Sequence, residues 1–160
     1  MAARDDGHAR GLTRTPGPLA PARWNEPYRG LPIAWQLLLP FALLNLVRGS
    51  IHLLAADGGA GSIAGIDLTQ GGAVIVMLFA VMGVDQIAWG VIDAAVALRW
   101  RAFVPLVWAI TLAKQLASVL VMWVYKPLPV PAPGKFGALV TLPVLAFALW
   151  ASLRPVTPKR

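Results

Sequence analysis

From residue 31 to residue 154 the chain alternates between long apolar blocks and short polar, glycine-rich or proline-rich breaks. The blocks cover about 33–56, 73–98, 102–125 and 136–153. They are apolar on every face, without the single stripe of a surface helix or the period-two alternation of a half-buried strand. At ~1.5 Å per residue, a helix of each block's length spans roughly 27–39 Å, enough to cross a ~30 Å hydrocarbon core with some tilt or help from its flanks. Backbone groups in hydrocarbon must be satisfied within their own segment, so helices are the expected state. The pattern predicts an all-α membrane protein, a four-transmembrane-helix bundle with short loops, over 31–154.

The breaks refine this picture. Residues 1–30 are polar and rich in Pro, Gly and Arg, and are expected to be a disordered cytoplasmic tail. A cleaved signal peptide fits poorly, because its apolar stretch would start after Gly30 and contain Arg48. Pro40 and Pro143 should bend the first and fourth spans, while Pro105 is tolerated in a first turn. Residues 126–135 (KPLPVPAPGK) read as an extended, semi-rigid connector, and 155–160 as a short cytoplasmic tail.

Charge supplies the orientation. Ten Lys and Arg residues fall on one side of the four spans and only Lys126 and Lys135 on the other. The positive-inside bias therefore predicts that both termini are cytoplasmic, in a bacterial inner membrane. Trp35, Trp100 and Trp150 would mark the inner interface, and Trp123, Tyr125 and Phe136 the outer one. Orientation also accounts for the net charge of +7, so nucleic-acid binding is not expected. Cysteine is absent, which removes thiolate metal sites and thiol nucleophiles; no metal site is expected.

The informative residues are those that a bilayer excludes. The first span carries Asn45, Arg48 and His52 on one face, and the second carries Asp85, Gln86 and Asp93. The third carries Lys114 and Gln115. Folding the second and third spans about the Arg99–Arg101 turn sets Asp85 opposite Lys114 near mid-depth, so the two are expected to pair. Asn45, Arg48, His52, Gln86 and Gln115 are expected to complete one network, with Arg99 or Arg101 satisfying Asp93. Such a cluster serves either as polar glue between helices or as a ligand site, because intramembrane charges are costly and tend to be functional. Its surplus cation would be relieved by proton loss from Lys114, by water or by an anionic ligand.

Close helix approach in lipid relies on small residues. Ala109, Ala113 and Ala117 recur every four residues on the third span, and Gly83, Gly90 and Ala94 lie along the second. The short turn makes these spans neighbours, so the two small faces are expected to meet.

The run Arg48-Gly-Ser-Ile-His52, the glycine-rich loop at Asp57, Gln86 and the Arg-x-Arg turn resemble small uncharacterised bacterial four-helix membrane proteins, broadly DoxX-like, over 31–153. The resemblance implies a four-helix fold and, for some members, quinone or redox partners; it assigns no residue a role. The leading expectation is an accessory subunit or binding protein packed against a larger membrane complex or its own copies. The alternative is a site for an anionic lipid, quinone or organic acid at Arg48, Asp85 and Lys114. An enzyme is less expected, since no nucleophile–base–orienter set or metal triad accompanies the pair, and no catalytic residue or cofactor is evident.

Overall fold

The computed structural model describes residues 17–127 and 129–156. It is all-helical among these residues: α1 (Pro32–Leu54), α2 (Gly72–Leu98), α3 (Val104–Leu120) and α4 (Pro133–Leu153). One 3-10 turn, Arg101–Phe103, leads into α3, and a π turn, Val121–Tyr125, extends it. All four helices are long and apolar enough to cross a membrane, at 23, 27, 25 and 21 residues with the flanking turns of α3 included. Prolines in the first turn start α1, α3 and α4, where a missing N–H costs nothing. Thus α4 begins at Pro133, earlier than its apolar block.

Two features hold the bundle together. The first is a core at the end where α1 starts, α2 meets α3 and α4 stops. Leu38, Val96, Val104, Trp108 and Leu145 are buried there among Ala34, Ala97, Ala148 and Ala151. Trp108 is fully buried, its indole N–H donates to the Ala34 carbonyl at 2.9 Å, and Phe41 meets it edge-on at 5.2 Å. That bond ties α3 to α1 and satisfies a donor that would otherwise be stranded.

The second feature is a backbone-close contact between α1 and α2. A methyl group placed on Gly49 would lie 2.7 Å from the Gly83 carbonyl oxygen, and one on Gly83 would lie 2.7 Å from the Gly49 oxygen. Gly90 faces the Ala42 oxygen and Leu46 in the same way. Small residues let the backbones approach, and dispersion then holds them without hydrophobic help from the solvent.

This arrangement corrects the expected packing. Gly83 and Gly90 press against α1 rather than α3, while Ala113 and Ala117 remain exposed and Ala94 and Ala109 are half-buried. α1 packs chiefly on α2, and α3 on α4, whereas α2 and α3 touch little. A three-residue turn forces proximity only at its own end. Along the rest of α2, the smaller and therefore closer partner surface is Gly49 and Ala42 of α1.

The segment before α1 also departs from the disordered tail expected over 1–30. Gly17 donates its N–H to Leu153 O at 2.8 Å, Leu31 to Ala151 O at 3.0 Å, and Val156 to Arg29 O at 2.9 Å. The final carbonyls of α4 lack partners within their helix, and the 17–31 segment supplies them. Tyr28 donates to Leu31 O at 3.0 Å, and burial pushes its phenol above the ordinary tyrosine range. The part of the expected tail over 1–16 lies outside the described residues, as does most of the expected tail at 155–160.

Because the atoms opposing Gly83 are backbone, they cannot swing aside. Gly83→Leu should destabilise the bundle by ~1–3 kcal/mol or more, seen as a lower thermal midpoint by circular dichroism in mild detergent. Ala117→Leu, on an exposed α3 position, should leave the midpoint nearly unchanged.

Candidate functional site

The polar residues of α1, α2 and α3 fall into separate groups rather than one network. In the first, Lys114 Nζ donates to Asp85 Oδ2 at 2.7 Å, joining α3 to α2. Both side chains are half-exposed, Lys114 at 46% and Asp85 at 54%. Lys114 also lies 5.0 Å from the Trp89 ring centroid, a cation–π contact one turn along α2. Since the α2 and α3 backbones stay apart here, the long lysine stem closes the gap and its head remains at the bundle surface.

A second group lies inside the α1–α2 interface. Asp93 is only 3% exposed and accepts a hydrogen bond from Asn45 Nδ2 at 3.1 Å. Neither Arg99 nor Arg101 reaches it: Arg101 donates from Nε to Ala97 O at 2.9 Å and stacks on Trp35 instead. Asp93 Oδ1, Gln86 Oε1 and His52 Nε2 are buried without a hydrogen-bond partner among the described residues.

His52 and Asp57 form the third group, at the other end of α1. The buried His52 Nδ1 lies 2.7 Å from the Gly58 carbonyl oxygen, and Phe79 meets the ring edge-on at 5.3 Å. Gly58 takes a φ of +60°, a left-handed conformation that a side chain would strain. Asp57 fixes the turn, accepting Gly59 N–H at 2.8 Å and Ser62 N–H at 2.6 Å. The bonds from Ser62 and then Gly59 hold its carboxyl at about 2, below the ordinary aspartate value. His52 therefore acts as a strut between helix and loop.

Gln115 and Arg48 turn toward α4. Gln115 Nε2 donates to Ala138 O and Thr141 Oγ1, both at 2.9 Å. The Arg48 side chain makes no hydrogen bond or ion pair among the described residues; its guanidinium lies near Gly134 in the first turn of α4. Of the seven residues expected to share one site, only Asp85 and Lys114 bond to each other. The described residues contain no group of three His, Asp or Glu side chains placed to hold a metal ion.

Sequence reading missed the Asn45–Asp93 bond because depths were matched across the short turn alone. Matching α1 against α2 through Gly49 and Gly83 sets Asn45 opposite Ile87, so Asn45 and Asp93 must lean along their helices to meet, and register alone would not have paired them.

No family model, curated protein or solved structure matches the chain.

Asn45→Leu should leave Asp93 without a donor and lower stability by ~1–3 kcal/mol, whereas Asn45→Leu with Asp93→Leu should recover most of it; unfolding in detergent measures both. In the loop, the depressed Asp57 value means its turn is intact above the ordinary aspartate range and lost as pH falls through about 2. Protection of the Gly59 and Ser62 amides, measured against their intrinsic exchange at each pH, should fall over that window, and Asp57→Ala should give the low protection at every pH.

Proposed function

We propose that the chain is an assembly subunit of a membrane complex, and that a partner's transmembrane helix covers its α2–α3 side. The observation that carries this reading is the half-exposed Lys114–Asp85 bond on helices whose other exposed positions are almost all apolar. Val81, Val84, Val91 and Ile92 of α2, and Leu116 and Leu120 of α3, are exposed around it.

An ion pair facing hydrocarbon at mid-depth keeps much of its desolvation cost, whereas one covered by a polar or small-residue helix face gains further hydrogen bonds. Interhelical polar contacts are individually modest, so the pair serves register and partner choice more than raw affinity. Ala113 and Ala117, exposed on α3, offer a close-approach surface on the same helix. On this reading the membrane is a bacterial inner membrane with both termini cytoplasmic, as the loop charges favour. The DoxX-like resemblance makes quinone-linked or redox complexes the first partners to examine. A ligand site that also uses Arg48 is less favoured, since that side chain lies toward Gly134.

A photoreactive residue at Ala88, one turn along α2 from Asp85 and exposed, should give a discrete protein adduct in intact membranes. Lys114→Met should reduce that adduct about tenfold, the equivalent of ~1.4 kcal/mol. The charge-swapped double variant Asp85→Lys with Lys114→Asp should keep more of it than either single change. Adducts to lipid alone, or an adduct indifferent to Lys114, would remove the basis for a covered pair.

A further inference from the structure

At the end of the bundle where α2 turns into α3, the 17–31 segment and the α2–α3 turn enclose an open cleft of about 670 Å³. Trp24 and Tyr28 of that segment, Trp35 of α1, and Arg99, Trp100 and Arg101 of the turn line it. We propose that this cleft binds the phosphate headgroup of an anionic phospholipid from the adjoining leaflet.

Charge is the first support. Arg101 is held in place, its guanidinium carbon 3.8 Å from the Trp35 ring centroid and its Nε bonded to Ala97 O. The two terminal nitrogens carry no bond to any described residue, so a forked donor is preorganised for a phosphate oxygen pair. The Arg99 side chain makes no hydrogen bond or ion pair with any described residue. Glu26 also lines the cleft, yet it bridges neither arginine. The cleft thus holds two cations, neither of them ion-paired, against one carboxylate.

Position is the second support. The cleft lies where α1 begins and α2 ends, the level at which a helix leaves hydrocarbon for headgroups. Trp24 is 68% and Trp100 44% exposed, and amphipathic indoles favour that level. Leu98, exposed beside the cleft, offers an apolar track for the acyl chains. The volume is within the range of small-molecule sites and suits a headgroup with its glycerol. A soluble phosphate compound would use the arginines but neither the indoles nor Leu98.

The test uses purified full-length chain in vesicles of phosphatidylcholine containing spin-labelled phosphatidylglycerol or spin-labelled phosphatidylcholine as probe. Wild type should immobilise the anionic probe in preference to the zwitterionic one, with the preference weakening as salt rises. Arg99→Gln should cut the preference about fivefold, on the order expected for one basic residue near a charged membrane. Arg101→Gln should act similarly; if it fails to fold, Arg99→Gln, whose side chain holds nothing in place, carries the test. Glu26→Gln should raise the preference. Lys126→Gln, at the opposite end, should leave it unchanged, so a loss there equal to that of Arg99→Gln would mean general charge rather than a cleft. Equal immobilisation of both probes by wild type, or a preference untouched by Arg99→Gln, would overturn the proposal. So would displacement of the anionic probe by low concentrations of glycerol phosphate, which would assign the cleft to a soluble ligand.

Discussion

A lysine and an aspartate on apolar helices are costly in hydrocarbon unless they meet, and Lys114 and Asp85 meet at 2.7 Å. How that contact is made is set by the packing around it. α2 is committed to α1 by close glycine contacts, and α3 is tied to α1 and α4 through Trp108 and Gln115. The two charged helices therefore cannot close on each other, and the lysine stem spans what the backbones leave open. The result is a salt bridge that is made but not enclosed.

The four helices share one core at one end and pair off toward the other. Where α2 turns into α3, the fully buried Trp108, Leu38, Val104 and Leu145 fill the space between all four helices. The 17–31 segment then closes the last turn of α4 by satisfying its carbonyls. Toward the opposite end α1 and α2 stay in close contact through Gly49 and Gly83, and the other ties are polar: His52 to Gly58, Gln115 to Thr141, Lys114 to Asp85. Groups that could bind something outside the chain lie at the margins of the shared core, with accessible faces.

Four helices were legible in the apolar blocks because a bilayer imposes length and composition more strictly than water does. The Asp85–Lys114 bond was legible because a three-residue turn fixes the relative depth of its two helices. Helix neighbours were not. Gly83 and Gly90 specify that some backbone comes close, and only Gly49 and Ala42, across a long loop, determine which. The docked 17–31 segment was illegible for a related reason. Its composition suits disorder, while the carbonyls that order it belong to α4, more than a hundred residues later in the chain. The Asn45–Asp93 bond was hidden by the same mistaken choice of neighbour and by the lean of its two side chains off the α1–α2 register.

The account turns on whether Lys114 and Asp85 are bonded to each other when the chain is in a bilayer. Dipolar recoupling between ¹⁵N at Lys114 Nζ and ¹³C at Asp85 Cγ, by solid-state magnetic resonance in lipid, measures this directly. A bonded pair gives strong dephasing, as a 2.7 Å nitrogen–oxygen contact requires. Absence of that coupling, with Lys114 Nζ instead beside water or headgroup protons, would contradict the arrangement and the surface reading built on it.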